Sequence, residues 1–462
     1  MEASSEPAPL DQRVAQIAAR AERKAELKAA GFRWDPARGR AGAPAIGPGR
    51  DQRPLDVLAG DGGKSVFTGL RDDRMRLHRL DQAAAPAPDL VVLTRAHRLP
   101  QDPRALGLPD EVWRRLASGV AKLALDISGE GIVHSESYSA GFHRFMQSAG
   151  IDPANCVYIT QDRAFRDDYL AHRRAQGLAG APFEVVVYDR FIQSLCAAAH
   201  DDGEAIFRRR LQAWAAAPPA RARRFISLNN TFRPHRALFL MSLLRDDLWD
   251  HGHISVGRIE IHRGQIQKRM YAVEALRPLM AELFPLLDRL EALSPRYVGL
   301  GDRQPFGGSD EVMIVPEMFE EYSSSWFSVV VETDDTGRLH RITEKPFKPL
   351  LCLQPFIVLG PIGALRLIRE YGFETFPGLF DESYDEETDL RVRFDAVYQQ
   401  VVRLSRMDEG QLARMVQATS EAVVFNARWG LTQLPRLFRE RIDAPLVNWL
   451  IDFVRRGGQG QP

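Results

Sequence analysis

The sequence predicts an α/β protein with two Rossmann-like domains and an N-terminal extension. Short apolar runs with strand composition alternate with helix-length segments, which is typical of a mostly parallel sheet covered by helices on both faces. This alternation occurs in two series, and a proline-rich break at residues 215–220 separates them. The chain has 462 residues, a length that favours two domains over one.

The N-terminal extension is assigned to residues 1–60, which are rich in Ala, Arg, Gly and Pro. This composition predicts a partly disordered segment. One helix is predicted over residues 10–30, and Gly31 is expected to end it. The apolar face of this helix is mostly alanine, so we expect an appended tail that contributes little to a core.

The first domain is assigned to residues 61–217. Its predicted strands are 90–93, 123–127, 157–160 and 183–188. Its predicted helices are 110–121, 138–150 and 164–176. Strands and helices alternate along this domain, which predicts one of the two Rossmann-like domains.

The second domain is assigned to residues 221–440, because Pro218 and Pro219 cannot continue a helix or a strand. Its predicted strands are 225–228, 313–315, 327–331 and 356–359. Its predicted helices are 236–247, 272–293, 363–371, 391–406 and 408–426. A C-terminal helix is expected near residues 444–455, within a last segment that covers residues 441–462.

Composition and charge argue against several classes of protein, although zero net charge leaves room for a local basic patch. Lys plus Arg and Asp plus Glu both number 61, so no net charge attracts the protein to nucleic acid or to anionic lipid. Three widely spaced cysteines argue against a disulfide framework or a structural zinc site. The N-terminus has no apolar segment of the signal-peptide type, and no apolar run approaches the roughly 20 residues of a membrane span. We therefore expect a cytoplasmic protein without a membrane span.

Residues 329–360 contain the most informative motif. Glu332 ends an apolar strand, Thr343-Glu344-Lys345 lies on the connecting segment, and the next apolar strand ends at Gly360. Ligands of open α/β sheets bind beyond the carboxyl ends of the strands, so Lys345 is a candidate phosphate contact. A solvated surface ion pair is the alternative for Glu344 and Lys345, but the prolines that follow stiffen the segment.

This motif resembles the donor-binding motif of the α-1,3-fucosyltransferases, which reads Phe-x-x-Glu-Asn-Ser, a spacer, Tyr-Ile/Val-Thr-Glu-Lys and a strand that ends in Gly-Pro. The wider pattern is similar to uncharacterised bacterial and phage proteins of glycosyltransferase type. The resemblance implies a two-lobed (GT-B-like) fold. It also implies that Glu344 accepts hydrogen bonds from ribose or sugar hydroxyls and that Thr343 belongs to the same donor-binding site. Glu332 is expected to bind the donor sugar or to cap neighbouring amides. Thr333 and Asp334 stand where the family has Asn-Ser.

A second cationic element spans residues 229–236, Asn-Asn-Thr-Phe-Arg-Pro-His-Arg. It follows a predicted strand and opens a helix, whose first backbone amides favour an anion. We therefore assign Asn229, Arg233 and Arg236 to donor binding, since guanidinium groups suit bidentate phosphate contacts. The resemblance places the family's donor-lobe arginine at Arg236. The alternatives are a capped helix with solvated arginines and a core or capping role for His235.

Glu130 is the candidate general base. It lies in a Gly-Glu-Gly turn after a predicted strand of the first domain, at the edge where ligands of open sheets approach. A carboxylate there is suited to take the proton of an acceptor hydroxyl. His134 and Glu136 are alternatives for the same role.

These features predict a glycosyltransferase that uses a nucleotide-sugar donor. The resemblance implies that the donor is GDP-linked and that the reaction inverts the configuration. The acceptor is expected to be a glycan, a protein or a nucleic acid. No Asp-x-Asp occurs, so we expect a metal-independent reaction with no cofactor. The alternatives are a non-catalytic protein that binds nucleotide sugars or assembles glycans, and an enzyme that acts on phosphorylated substrates without a sugar. The acidic segment 381–389 is expected to be a solvated turn, and no oligomeric state is predicted.

Overall fold

The computed structural model describes residues 12–32, 54–59, 65–68, 70, 72–79, 87–94, 99–129, 134–199, 201–217, 220–230, 233–259, 273–298, 319–334 and 341–456. The chain divides into two compact units. The four-stranded unit comprises Met1–Phe32 and Ala198–Arg436, and the six-stranded unit comprises Arg33–Ala197 and Leu437–Pro462.

Parallel strands and many helices alternate along the chain, which confirms the predicted α/β class. The strands are β1 (Leu55–Ala59), β2 (Met75–Arg79), β3 (Leu90–Leu93), β4 (Lys122–Asp126), β5 (Cys156–Thr160), β6 (Glu184–Val187), β7 (Arg223–Asn229), β8 (Gly252–Val256), β9 (Ser325–Val331) and β10 (Phe356–Leu359). The α-helices are α1 (Gln12–Gly31), α2 (Asp110–Ala117), α3 (Glu136–Ser148), α4 (Phe165–Ala175), α5 (Arg190–Ala199), α6 (Gly203–Ala215), α7 (Pro234–Arg245), α8 (Arg277–Leu283), α9 (Leu287–Ala292), α10 (Phe319–Ser323), α11 (Phe347–Leu351), α12 (Ala364–Glu370), α13 (Leu390–Arg406), α14 (Glu409–Ala418), α15 (Ser420–Arg428), α16 (Leu434–Phe438) and α17 (Ala444–Arg455).

The six-stranded unit is built on a parallel sheet with the strand order β2-β1-β3-β4-β5-β6. Every residue of β3, β4 and β5 is buried, as expected for parallel strands covered on both faces. An aromatic cluster packs beside these strands, and the rings of Tyr169 and Phe183 stack with centroids 4.0 Å apart. The C-terminal segment completes this unit, where the Tyr188 hydroxyl donates to Asp443 Oδ1 at 2.6 Å.

Two strands of this sheet differ from the sequence interpretation. Strand β1, which the interpretation places in the N-terminal extension, pairs with both β2 and β3. Its Asp56 is buried, and His78 of β2 lies 2.9 Å from its carboxylate. A buried carboxylate interrupts the apolar run of β1, and β2 is largely polar, so neither strand has the apolar pattern that identifies a strand.

The four-stranded unit contains a second parallel sheet, with the order β10-β9-β7-β8. Strand β8 follows β7 and pairs on one side of it, whereas β9 pairs on the other side. The strand order therefore reverses between β7 and β9. In open α/β sheets, ligands bind at this kind of reversal, outside the carboxyl ends of the strands.

Several predicted elements of this unit have different limits in the structure. The predicted helix over 272–293 is divided into α8 and α9 by a 3-10 turn at Phe284–Leu286, because Pro285 cannot continue an α-helix. Strand β8 was not predicted because His253 and Ser255 interrupt its apolar pattern. The predicted strand over 313–315 lies outside the described residues.

The acidic segment 381–389 is solvated only in part, because one of its carboxylates is buried. Asp385 is buried, and its carboxylate accepts hydrogen bonds from the backbone N–H groups of Leu365 at 2.9 Å and Arg366 at 3.0 Å. Its backbone carbonyl accepts from the N–H of Gly363 at 2.7 Å. Asp385 therefore caps the amino end of α12.

Helix α1 packs in the four-stranded unit and is not a free tail. The face formed by Val14, Ile17, Ala21, Ala25 and Ala29 is buried. Arg428 at the end of α15 pairs with Glu22 of α1 at 2.6 Å. The alanine side chains on this face are small, so α1 can lie close to α15.

The three cysteines, Cys156, Cys196 and Cys352, are buried and unpaired. Across the described ranges, no helix combines the length and the apolar character needed to span a membrane.

Ala25→Gln in α1 is expected to lower the free energy of unfolding by about 2 kcal/mol, because a longer polar side chain must enter a packed position. Ala19→Gln is the matched control, since Ala19 is exposed on the same helix, and it should change stability by less than about 0.5 kcal/mol. Urea unfolding followed by circular dichroism measures both. Equal effects of the two substitutions would contradict the packing of α1.

Candidate functional site

The candidate site lies at the carboxyl edge of the four-stranded sheet, where the strand order reverses. Asn229 ends β7, Glu332 directly follows β9, and both are buried. The Thr-Glu-Lys segment and the first turn of α7 reach the same place through hydrogen bonds. We call this the strand-end site, and it comprises Asn229, Arg233, Arg236, Glu332, Thr333, Thr343, Glu344 and Lys345.

Glu332 connects the end of β9 to the Thr-Glu-Lys segment. Its carboxylate accepts hydrogen bonds from the Thr333 N–H at 2.9 Å, the Thr343 N–H at 3.0 Å and the Thr343 hydroxyl at 2.6 Å. The side chain is only 1% exposed. Of the two roles left open by the sequence, these bonds correspond to capping of neighbouring amides.

Lys345 is held by two threonine hydroxyls. Its ammonium group donates to Thr333 Oγ1 at 3.0 Å and to Thr343 Oγ1 at 3.0 Å, and it lies 3.2 Å from Glu344 Oε1. The side chains of Glu344 and Lys345 are each 19% exposed. This pair is therefore largely buried and differs from a solvated surface ion pair.

Arg236 reaches the same threonine from helix α7. Its Nη2 donates to Thr333 Oγ1 at 3.4 Å, and its Nε donates to the Val331 carbonyl at 3.1 Å. The side chain is 1% exposed, and this burial lowers the pKa of Arg236 to about 10 although Glu332 opposes the shift. Two cations from separate elements thus meet at one hydroxyl.

Glu344 is ionised under ordinary conditions. Burial opposes its ionisation, but the positive charges of Lys345 and Lys348 outweigh burial and lower its pKa to about 2. Burial also lowers the pKa of Lys348, while Glu344 opposes that shift. The Thr-Glu-Lys segment therefore carries a buried carboxylate with two lysines beside it.

Helix α7 brings the other predicted residues to the edge. Asn229 donates from Nδ2 to Ser227 Oγ at 3.0 Å, and its Oδ1 has no hydrogen-bond partner. Arg233 is the N-cap residue of α7 and is half-buried. His235 is buried, and its Nε2 lies 2.8 Å from the Glu332 carbonyl oxygen. It therefore has the core role, one of the alternatives that the sequence left open.

Two helices that follow strands at this edge differ in their amino ends. The first turn of α12 is capped by the Asp385 carboxylate. The first turn of α7 has no side-chain cap and begins with Pro234. Of these two helices, α7 therefore has the amino end better suited to a ligand anion.

Thr333 is the functional residue that sequence reasoning missed. The sequence singled it out only as a departure from the family pattern, yet its hydroxyl accepts from both Lys345 and Arg236. Its position directly after the strand-ending Glu332 was the available signal, because side chains at that point lie on the ligand-facing edge.

The candidate bases belong to the six-stranded unit. Glu130 lies outside the described residues, so its role stays a prediction. His134 Nε2 lies 2.7 Å from Ser139 Oγ, and burial lowers its pKa although Asp168 opposes the shift. Glu136 is largely exposed and lies 3.4 Å from His172 Nδ1.

In the described part of the chain, no three His, Cys, Asp or Glu side chains are grouped as metal ligands. The metal-independent reaction expected from the sequence stays a prediction.

Comparison with known proteins gives one distant likeness. No protein-family model matches the chain, and no curated protein matches it. A crystal structure of an alpha1,3-fucosyltransferase is similar at 12% sequence identity, covering 84% of this chain and 86% of that chain, with a TM-score of 0.36.

Glu344→Gln is expected to flatten the pH dependence of stability in acid. The folded-state pKa of about 2 lies below the ordinary value of 4.5, so the carboxylate contributes stability that is present above pH 4.5 and lost as the pH falls toward 2. The wild-type protein should therefore lose more free energy of unfolding than the variant between about pH 5 and 2.5. Urea unfolding at several pH values measures this difference.

Glu26→Gln is the control for this experiment, because Glu26 is exposed on α1. Its pH profile should follow the wild-type profile. Parallel profiles for the wild type and Glu344→Gln would contradict a strongly stabilised Glu344 carboxylate.

Proposed function

We propose that this protein is a glycosyltransferase that takes a sugar from a nucleoside-diphosphate sugar and passes it to a glycan, protein or nucleic-acid acceptor. One observation carries the proposal: Arg236 and Lys345 meet at the Thr333 hydroxyl. They do so at the carboxyl edge of a parallel sheet, where its strand order reverses. The resemblance of the surrounding motif to a donor-binding motif supports the same function.

The chemistry of this arrangement suits a pyrophosphate. Sugar transfer releases a nucleoside diphosphate, whose developing negative charge must be stabilised in the transition state. Arg236 provides a buried positive charge behind Thr333, and Lys345 provides a compact point charge at the same hydroxyl. Both are positioned before a ligand binds, since each already donates to a fixed hydroxyl.

The same two cations explain why we propose a metal-independent reaction. Their charges act on the leaving group where other transferases use a bound metal ion. The amino end of α7, together with Arg233, adds further positive potential at this edge. In this proposal Glu344 accepts hydrogen bonds from ribose or sugar hydroxyls, because an ionised carboxylate is a strong acceptor.

The acceptor is assigned in this proposal to the six-stranded unit. Glu130 would take the proton of the acceptor hydroxyl as the hydroxyl oxygen attacks the anomeric carbon. The bond from that carbon to the diphosphate breaks in the same step, so the configuration inverts. The nucleotide is proposed to be GDP on the resemblance of the motif.

Lys345→Met is expected to weaken binding of nucleoside diphosphates by at least about tenfold, because a charge-assisted hydrogen bond contributes roughly 1.5–3 kcal/mol. A thermal-shift screen with GDP, UDP, ADP and CDP and their sugars measures the loss, since bound ligand raises the melting temperature. Lys348→Met is the matched control, because Lys348 carries the same charge in the same segment and donates to neither threonine.

The donor-site proposal fails if no nucleoside diphosphate stabilises the wild-type protein. It also fails if Lys345→Met and Lys348→Met reduce the stabilisation equally, since a general loss of positive charge would then explain the effect.

Glu130→Gln is expected to slow sugar transfer by about 10²–10⁴-fold while nucleotide binding is unchanged, because a general base acts on the acceptor and not on the diphosphate. Release of the diphosphate from the nucleotide sugar that stabilises the protein most measures the rate. Glu136→Gln tests the neighbouring carboxylate, and a loss confined to that variant would move the base to Glu136. A wild-type protein that binds the donor and never turns it over would instead identify a non-catalytic binding protein.

A further inference from the structure

We propose that the four-stranded unit has a second anion-binding site, which takes a tetrahedral oxyanion such as a phosphate group. It is formed by Arg221, Arg224 and Trp326, which we call the amino-edge cluster. These residues lie where β7 and β9 begin, at the opposite edge of the sheet from the strand-end site. The inference is therefore separate from the proposed glycosyltransferase function.

The strand register brings the three side chains together. Arg223 of β7 pairs with Ser325 of β9, and Phe225 pairs with Phe327. Arg224 therefore lies beside Trp326 and on the same face of the sheet, because neighbouring parallel strands present paired positions on the same side. The guanidinium of Arg221 lies over the Trp326 ring, 5.6 Å from its centroid.

These side chains have buried N–H groups without an acceptor. The unpaired atoms are Nε and Nη1 of Arg221, Nη1 of Arg224 and Nε1 of Trp326. Trp326 is 6% exposed, and both arginines are half-buried. Buried polar groups in native proteins are nearly always hydrogen-bonded, so four unpaired donors around one indole ring indicate a missing acceptor.

The charge balance indicates that this acceptor is negative. Burial lowers the pKa of Arg221, and no neighbouring carboxylate opposes that shift. The pKa of Glu321, on the helix before β9, is raised by burial and by Glu320, without a contribution from an arginine. Burying a charge without a partner is costly, so a bound anion would stabilise the folded state.

The donor geometry favours an oxyanion with several oxygens. A guanidinium presents two parallel N–H groups to two oxygens, and here two guanidinium groups and an indole N–H lie on one face. A phosphate or sulfate group offers enough oxygens to accept from all three side chains. A halide ion has no pair of separated acceptor atoms to match the two parallel N–H groups of a guanidinium.

The site is tested with inorganic phosphate and inorganic sulfate as probes. The full chain carrying Lys345→Met is used, so that loss of a strand-end cation reduces phosphate binding there. The melting temperature is followed against phosphate or sulfate at constant ionic strength, with chloride as the balancing anion, and calorimetry gives the dissociation constant. We expect saturable stabilisation by phosphate and sulfate that chloride does not produce.

Arg221→Gln and Arg224→Gln are each expected to weaken oxyanion binding by at least about tenfold. Arg223→Gln is the matched control, because Arg223 is exposed, lies between the two in sequence and donates to the carbonyl of Ala222. Trp326→Phe keeps most of the ring and removes the indole N–H, so it tests the site even if an arginine variant is unstable. It should weaken binding by about threefold to tenfold.

The inference is overturned if phosphate and sulfate stabilise Arg221→Gln, Arg224→Gln and Arg223→Gln equally, since the general effect of excluded salts would then account for the result. It is also overturned if phosphate and sulfate are no better than chloride. Neither result changes the test of nucleotide binding at the strand-end site, because that test uses the protein that retains Lys345.

Discussion

The strand-end site depends on the buried carboxylate of Glu332. It fixes the backbone directly after β9 and the backbone of Thr343 eleven positions later, through the three hydrogen bonds that it accepts. Glu332 is thus best understood as a positioning residue, because its oxygens hold the two threonines that in turn hold Lys345.

The second constraint is electrostatic. Arg236 and Lys345 are both positively charged, and both donate to Thr333 Oγ1, which is uncharged. A neutral hydroxyl satisfies the hydrogen bonds but does not balance two buried positive charges. Glu344 offsets part of the charge of Lys345, the Glu332 carboxylate favours the charged form of Arg236, and the carbonyl of Val331 accepts from Arg236. The two cations and the two carboxylates therefore stabilise one another within the strand-end site.

The sequence predicted the α/β class and most central strands, because their apolar runs are continuous. It missed β1, β2 and β8, where Asp56, the polar residues of β2, and His253 and Ser255 of β8 interrupt the apolar pattern. Motif reasoning singled out Arg236, Glu332, Thr343, Glu344 and Lys345, which the structure brings together. It did not identify Thr333 as a contact of both cations, because that contact arises where α7 and the Thr-Glu-Lys segment meet in space. The burial of α1 was not predicted either, because an alanine-rich face does not reveal from the sequence whether another helix packs against it.

Asp385 limits where an anion can bind along this edge. Two parallel strands, β7 and β10, are each followed by a helix whose amino end faces the carboxyl side of the sheet. The carboxylate of Asp385 already occupies the amide groups at the start of α12, so an anion beyond β10 would meet a negative charge. The start of α7 lacks such a cap and carries Arg233 and Arg236. Under the proposed function, a diphosphate is therefore expected on the β7 side of β9, where the strand order also reverses.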